Sequence, residues 1–475
     1  MNRDYENKYL IPTDQMELNS NQQMHTSPYM PFTHGGYIYE IRGNDDFITP
    51  SEYTDWRDES LSWHYTASIH EGLNPMSAIR IKGPEAVKFL KENFVNNFDK
   101  FPLNSSKHGV ICTPEGYIAI HGVLQRHAED EFLALGFAPY IDYLWQKGNY
   151  DANYEDLTGK VIFFQLQGPR SLELLEEVTN DDLHDIKFIR FKDSSVDEKP
   201  VKVLRFGMSN GLGYELYCNV EDSQEIYLKI MEIGRKYGLR RLGRKSYFLN
   251  HTPGGSQQLM LHFMPGTMTD TDFAQFAQTQ SQVDGSLAKN VMSFRINGSL
   301  GEENIGETLV SPFEIGLGKV VDFNKGNFHG RDALLAKKEE NNRDICTLKW
   351  NADDVVDIFA SQFREGEEMY DRIDNPQILS YANGGSELEF LRVLDLDGNE
   401  IGYCGGRTQS PYHRAMLSAG VIKKDFIKEE NEVIIVWGEV GSKQKKVRAT
   451  IAPFPYNKHL ENRTFDIESI PRRSN

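Results

Sequence analysis

The segment Gly207-Met-Ser-Asn-Gly-Leu-Gly-Tyr-Glu215-Leu-Tyr217 holds the residues best spaced for ligand chemistry. It reads as a glycine-rich turn entering an alternating strand, with one carboxylate just past the turn. On a strand of period two, Tyr214, Leu216 and Cys218 share one face while Glu215 and Tyr217 share the other, wet one. An acid beside an aromatic ring suits a flat heterocycle rich in ring N–H donors, such as the amino-pyrimidinone edge of a pterin, because its two oxygens accept two hydrogen bonds. The same residues also fit an ordinary hairpin with a solvated Glu, since most glutamates are exposed.

Other catalytic signatures are missing. The chain has no His-Glu-x-x-His zinc helix, no Gly-x-Ser-x-Gly elbow, no Walker phosphate loop and no Gly-x-Gly-x-x-Gly after a strand. The 13 histidines are dispersed; His121 and His127 share one predicted hairpin, without metal-ligand spacing, so no metal is expected. Cys112, Cys218, Cys346 and Cys404 are scattered, which argues against a disulfide framework or zinc ribbon and fits a reduced, cytoplasmic protein. The 475 residues carry a formal charge of −18, the wrong sign for a general nucleic-acid surface. No apolar run reaches membrane-spanning length, and no signal-peptide pattern opens the chain.

Two matching units position these residues. Ile79-Arg-Ile-Lys-Gly83-Pro84 and Gln165-Leu-Gln-Gly168-Pro169 each read as a strand, a Gly-Pro breaker and a helix, with helical stripes at Val87, Leu90, Phe94 and at Leu172, Leu175, Val178. A hairpin is expected between 117 and 135, turning at 128–130, and a helix over 224–237 with Gly238 as its stop. Residues 265–310 read as an irregular polar connection. The turn-punctuated short strands after the helix at Gly330 suggest a C-terminal antiparallel barrel or sandwich.

The order of short motifs along the chain resembles the tetrahydrofolate-dependent aminomethyltransferase family, founded on the glycine-cleavage T-protein, and within it the vanillate and 3-O-methylgallate aryl O-demethylases. The motifs include Trp56-Arg57, Asn104 with Lys107, Thr113-Pro114, Phe164-Gln-Leu-Gln-Gly168-Pro169 and Arg205-Phe-Gly with Glu215. Further on are Gly243-x-x-x-Tyr247-x-x-Asn250, Phe313-Glu-Ile-Gly-Leu-Gly, His329-Gly-Arg-Asp-Ala-Leu and Leu348-Lys-Trp-Asn.

The resemblance implies an α+β, three-domain cloverleaf around a central folate channel. Its expected parts are an irregular arm (1–34), a discontinuous folate-binding domain (35–77 with 161–310), a second α+β domain (78–160) and a barrel-like domain (311–475). It implies tetrahydrofolate as acceptor, Glu215 as the acid on the pterin, and Tyr217, Asn250 and Arg205 as further folate contacts. Tyr247 takes the place of the demethylases' essential hydroxyl, a phenol that donates to the aryl oxygen as charge develops. Tyr39 takes the place of a substrate-lining tyrosine.

Departures from that pattern fall at the substrate. Gly72 and Pro75 align with a Gln and a His that touch the aromatic donor, Phe137 with an arginine that pairs a carboxylate, Ser256 with an aromatic near folate, and His121 with an acidic residue of the glycine-cleavage enzyme. Losing a bidentate cation disfavours a benzoate substrate, unless Arg126 supplies a displaced one. The expected activity is transfer of a methyl group from a small methoxylated aromatic to N5 of tetrahydrofolate. Two alternatives stand beside it. One is demethylation of a sulfonium or amine donor between aromatic walls such as Tyr39, Phe137 and Trp145; the other is a folate-binding protein without methyl transfer. The oligomeric state is open.

Overall fold

The structure, a computed structural model, describes residues 38–42, 47–70, 74, 76–207, 209–280, 294–373, 386–458 and 461–472. The expected arm lies outside these residues. Three larger sheets organise the described residues, beside two two-stranded ones, Ile38–Arg42 with Phe47–Glu52 and Phe294–Asn297 with Ser386–Glu389. The first has six strands in the order Phe191–Val196, Lys199–Leu204, Gly213–Asn219, Val161–Gln167, Ala67–His70 and Leu239–Arg241, antiparallel except for the last, parallel pair. The second is a five-stranded antiparallel sheet ordered Ser105–Cys112, Ile118–Ala128, Glu131–Leu135, Ala78–Lys82 and Asn153–Asp156. The third is a closed antiparallel barrel ordered Arg343–Trp350, Ala415–Lys423, Glu400–Ser410, Leu391–Leu394, Glu432–Trp437 and Lys445–Ala452.

The two open sheets pack face to face, with helices outside. The helices Ser171–Thr179 and Val220–Gly234 bury Leu172, Leu175, Val178, Ile226 and Ile230 against Phe164, Leu166, Tyr214 and Leu216. The helices Ala86–Asn93 and Tyr140–Lys147 cover Ile79, Ile81, Phe132 and Ala134 of the second sheet. The inner faces meet where Phe163, Leu204 and Tyr217 pack on Ala78, Leu133 and Leu135. Because side chains alternate along a strand, each strand serves an outer helical core and an inner crevice at once.

The two Gly-Pro breakers are genuine turns. Gly83 and Gly168 adopt φ of 145° and 105°, and a Cβ there would lie 2.7 Å from the Ala152 Cα and 2.6 Å from the Thr66 carbonyl oxygen. Backbone is close on both counts, so glycine is required. Two expectations change. The stripe on Ala86–Asn93 buries Phe89 and Leu90 fully, leaving Val87 only partly covered. Residues 265–310 are not wholly irregular: Asp270 accepts the Phe273 N–H at 2.9 Å and starts the helix Thr271–Gln280, whose Phe273 and Ala277 complete the second sheet's outer core. After the barrel the chain returns to the first sheet, where Ile467 and Ile470 join its helical core. Among the described residues no helix is long and apolar enough to cross a membrane.

Candidate active site

The strand Gly213–Asn219 places Glu215 and Tyr217 in the crevice between the two sheets. What sequence alternation suggests is a wet face is an internal one: Glu215 is 2% exposed and Tyr217 5%. One Glu215 oxygen accepts from Gln165 Nε2 at 3.0 Å and the other from the Tyr217 hydroxyl. Burial pushes the Glu215 carboxyl above its ordinary range, against the pull of these two donors. Each carboxylate oxygen keeps one lone pair free, and the Gln165 carbonyl oxygen is buried without a partner.

This pair opens on a cavity of about 400 Å³. Among its described lining residues Glu215 is the one carboxylate, and no Lys or Arg lines it. Opposite, on the hairpin of the second sheet, His108 Nε2 and His121 Nδ1 lie 2.9 Å apart, and His121 Nε2 is buried without a partner. Burial holds His108 down to about 4 and His121 well below the imidazole range, so both rings are neutral. The backbone segment Gly254–Leu259 and Asn462, from the returning C-terminal chain, close the remaining side.

Tyr247 stands on the short helix Arg244–Leu249, started by Gly243, where a Cβ would lie 2.1 Å from the Ser51 carbonyl oxygen. Its ring is stacked on His70 (centroids 3.7 Å, 12°), with the edges of Trp63 and His251 at 6.5 and 4.7 Å, and its hydroxyl is buried without a partner. Burial raises the hydroxyl's pKa, the Glu215 charge raises it further and the Gln165 side chain opposes both, which puts Tyr247 within electrostatic reach of the Glu215–Gln165 pair. A larger cleft of about 790 Å³ lies between Trp56, Arg57 and the barrel-side helix Ala352–Ser361. None of its described lining residues has a buried unpartnered polar atom, so it shows no comparable demand for a ligand.

A matching order of relatives accompanies this geometry. Residues 44–249 match the model of the GCVT N-terminal domain family. The chain is 37% identical to a sesamin methylene transferase of a Sinomonas species over 90% of its own length and 94% of that protein's. It is 26% identical to a syringate O-demethylase of a Sphingobium species, covering 86% and 90%, and 26% identical to an aminomethyltransferase of Thermoanaerobacter pseudethanolicus, covering 74% and 84%. The chain belongs to the aminomethyltransferase family. The crystal structure of the glycine cleavage system aminomethyltransferase T from Bartonella henselae, 15% identical, superposes over 92% of this chain and 99% of that one with a TM-score of 0.65, and shares the α+β fold.

As a tetrahydrofolate-dependent transferase of this family, the chain has to hold a pterin, and the cavity fits one. A buried carboxylate with two free lone pairs matches two adjacent ring N–H donors, and the orphaned Gln165 oxygen offers a third acceptor. Of the residues that sequence points to, Glu215, Tyr217, His121 and Ser256 line the cavity together.

Others are placed elsewhere. Arg205 is outside the lining; it bonds the Asn462 side chain at 3.0 Å and its carbonyl at 2.6 Å, building the wall rather than facing the cavity. Asn250 pairs with Ser60 at 3.3 Å and lines a separate 60 Å³ cleft. Phe137 is fully buried because Gly109 and Gly122, paired across the hairpin, leave space for its ring. Arg126 is tied to the Phe101 carbonyl and Glu129 and sends no charge into the cavity. Trp145 stacks on Tyr150 and Tyr154 beneath the outer helices. The Tyr39 side chain, Gly72 and Pro75 lie outside the described residues.

Sequence reading missed His108, Gln165 as a partner of Glu215, and Asn462. The hairpin register, Val110 opposite His121 and His108 opposite Val123, was the available signal for the first.

Proposed function

We propose that this chain moves a one-carbon unit from a neutral aryl ether to tetrahydrofolate, with a methylenedioxy aromatic as the preferred donor and a catechol as the product. The observation that carries this reading is a cavity whose described lining holds no Lys or Arg, and whose single carboxylate, Glu215, is of the wrong sign to pair with an acidic donor. A donor carboxylate would have to be desolvated there without a counter-ion, a cost of several kcal/mol. Similarity to a methylene transferase at 37%, against 26% for a demethylase, favours a CH₂ held between two oxygens over a CH₃ on one.

Tetrahydrofolate, when bound, supplies the nucleophilic ring nitrogen. The residues supply the rest. Glu215 would fix the pterin edge, Gln165 would hold Glu215 in place, and the Tyr247 hydroxyl would donate toward the aryl oxygen that leaves. Apolar contacts between the two sheets flank the crevice.

Methyl ether cleavage is the second reading, supported by the syringate O-demethylase relative. A cationic sulfonium or amine donor is less well supported, because Phe137 and Trp145 are packed away from the cavity. The test is incubation with tetrahydrofolate and a panel of neutral methylenedioxy, neutral methoxy and carboxylated donors, with folate products resolved by mass. 5,10-Methylenetetrahydrofolate together with a catechol is the expected outcome. 5-Methyltetrahydrofolate alone would move the assignment to the methyl ether, and no product from any donor would leave a folate-binding protein.

A further inference from the structure

Each C–O bond broken in an aryl ether leaves an oxygen that needs a proton, and each C–N bond formed releases one from the accepting amine. A methylenedioxy carbon is bonded to two such oxygens, so full transfer moves two protons. Tyr247 is buried and is not among the cavity's described lining residues, so a second group has to account for the other proton.

We infer that His121 is the proton carrier of this site and that His108 is its relay. The assignment rests on the aryl ether reading above and adds the route of the proton. His121 sits mid-strand on the second sheet, its ring stacked near Phe263 (centroids 6.0 Å, 28°), with Nδ1 2.9 Å from His108 Nε2 and Nε2 buried, unpartnered, in a cavity-lining residue. A native buried nitrogen without a partner is rare and calls for a ligand atom.

The pair works because one hydrogen is shared between two rings. When His121 Nδ1–H donates to His108, His121 Nε2 is a free base; when His108 Nε2–H donates to His121, Nε2–H is an acid. When Nε2 takes a proton from the amine and Nδ1–H passes to His108, the added charge rests on the His108 ring; when Nε2–H is given to the aryl oxygen, the shared proton returns to Nδ1 and the pair is back in its first state. No charge is left behind once both transfers are complete. His108 is half-buried and lines the same cavity as His121. A packing role would need neither the Nδ1–Nε2 contact nor an unpartnered nitrogen in the cavity wall.

The experiment uses the full chain without folate and 4-nitrocatechol, a product-like phenol whose anion absorbs in the visible. By microscopic reversibility, the group that protonates the aryl oxygen also accepts the proton of the bound phenol. Wild type is expected to bind nitrocatechol with the anion band enhanced over free ligand at the same pH. His121→Asn and His121→Gln, checked for unchanged melting temperature, are expected to lose that enhancement, and His108→Asn to weaken it. In turnover, His121→Asn is expected to lower kcat about 100-fold with the tetrahydrofolate Kd unchanged. Identical nitrocatechol spectra for wild type and both His121 variants, or no binding to wild type, would overturn the assignment. Absence of product from every donor would instead remove the donor reading, while the spectra still decide the role of His121.

Discussion

Gln165 and Glu215 stand directly opposite each other on paired antiparallel strands, with Gln165 Nε2 3.0 Å from the Glu215 carboxylate. The pair holds a buried acid whose ionised form is disfavoured by burial. Since the folded pKa is raised above the unfolded value, this group's contribution to stability is present below the ordinary carboxylate range and is lost as pH rises through the folded pKa. At neutral pH the wild-type protein therefore carries a burden that an amide would not. Glu215→Gln should melt higher than wild type at pH 8, with the gap closing toward pH 4, while tetrahydrofolate affinity falls about 10- to 100-fold by calorimetry. A variant that melts lower at pH 8 and still binds folate normally would remove Glu215 from the site.

Tyr247 is caged by His70, Trp63 and His251, so a phenylalanine ring keeps every packing contact and loses only an unpartnered hydroxyl. Removing a buried donor that has no partner costs little stability. Tyr247→Phe is expected to keep its melting temperature and folate Kd while kcat drops by about 10² to 10⁴. An equal loss of kcat and folate affinity would make Tyr247 a folate contact instead.

The glycine turn and period-two alternation were enough to put Glu215 and Tyr217 on one face, and the Gly-Pro breakers located two strand–helix units whose turns need positive φ. What local pattern could not show was the second sheet. Glu215 reads as solvated because its covering residues, Ala78, Leu133 and Leu135, come from strands remote in sequence. Asn462 escaped for the same reason: its place in the cavity wall depends on Arg205, which is 257 residues away. Phe137 was misplaced because alignment shows which residue replaces an arginine but not that two paired glycines have opened a slot for its ring.

That slot gives a test of the fold. A Cβ at Gly109 would meet the tip of the Phe137 ring at 2.8 Å, a side chain that can shrink, whereas one at Gly122 would lie 2.2 Å from the Leu135 carbonyl oxygen, which cannot move without breaking the sheet. Both alanine variants should cost about 1–3 kcal/mol in urea titration. Adding Phe137→Leu should recover part of the Gly109→Ala loss and none of the Gly122→Ala loss. Equal recovery in the two double mutants would mean the ring, not the backbone, sets both limits.

His184 joins the C-terminal return to the first sheet. Its Nδ1 lies 2.7 Å from a Glu176 oxygen and its Nε2 3.1 Å from the Ile470 carbonyl, both acceptors, so a ring satisfied on both sides is the imidazolium. Burial works against that charge, but the Ile470 carbonyl and the Glu176 carboxylate outweigh it and the pKa is raised. Among the described residues Glu176, Asp182 and His184 are also the group whose ligand atoms converge closely enough for a metal, yet a doubly donating ring has no lone pair to offer one. A raised pKa means the latch stabilises fully below the ordinary histidine range and weakens as pH climbs through the folded value. Hydrogen exchange over residues 461–472 should therefore speed up between pH 6 and pH 9 beyond its intrinsic pH dependence, and His184→Gln should be fast throughout. Because Asn462 rides on this segment and lines the cavity, folate affinity should weaken over the same pH range in wild type and stay low in the variant. Exchange that follows only the intrinsic pH dependence in both proteins would mean that His184 is neutral and that the C-terminal return is held by its other contacts, the Arg205 and Gly213 bonds to Asn462 and the packing of Ile467 and Ile470.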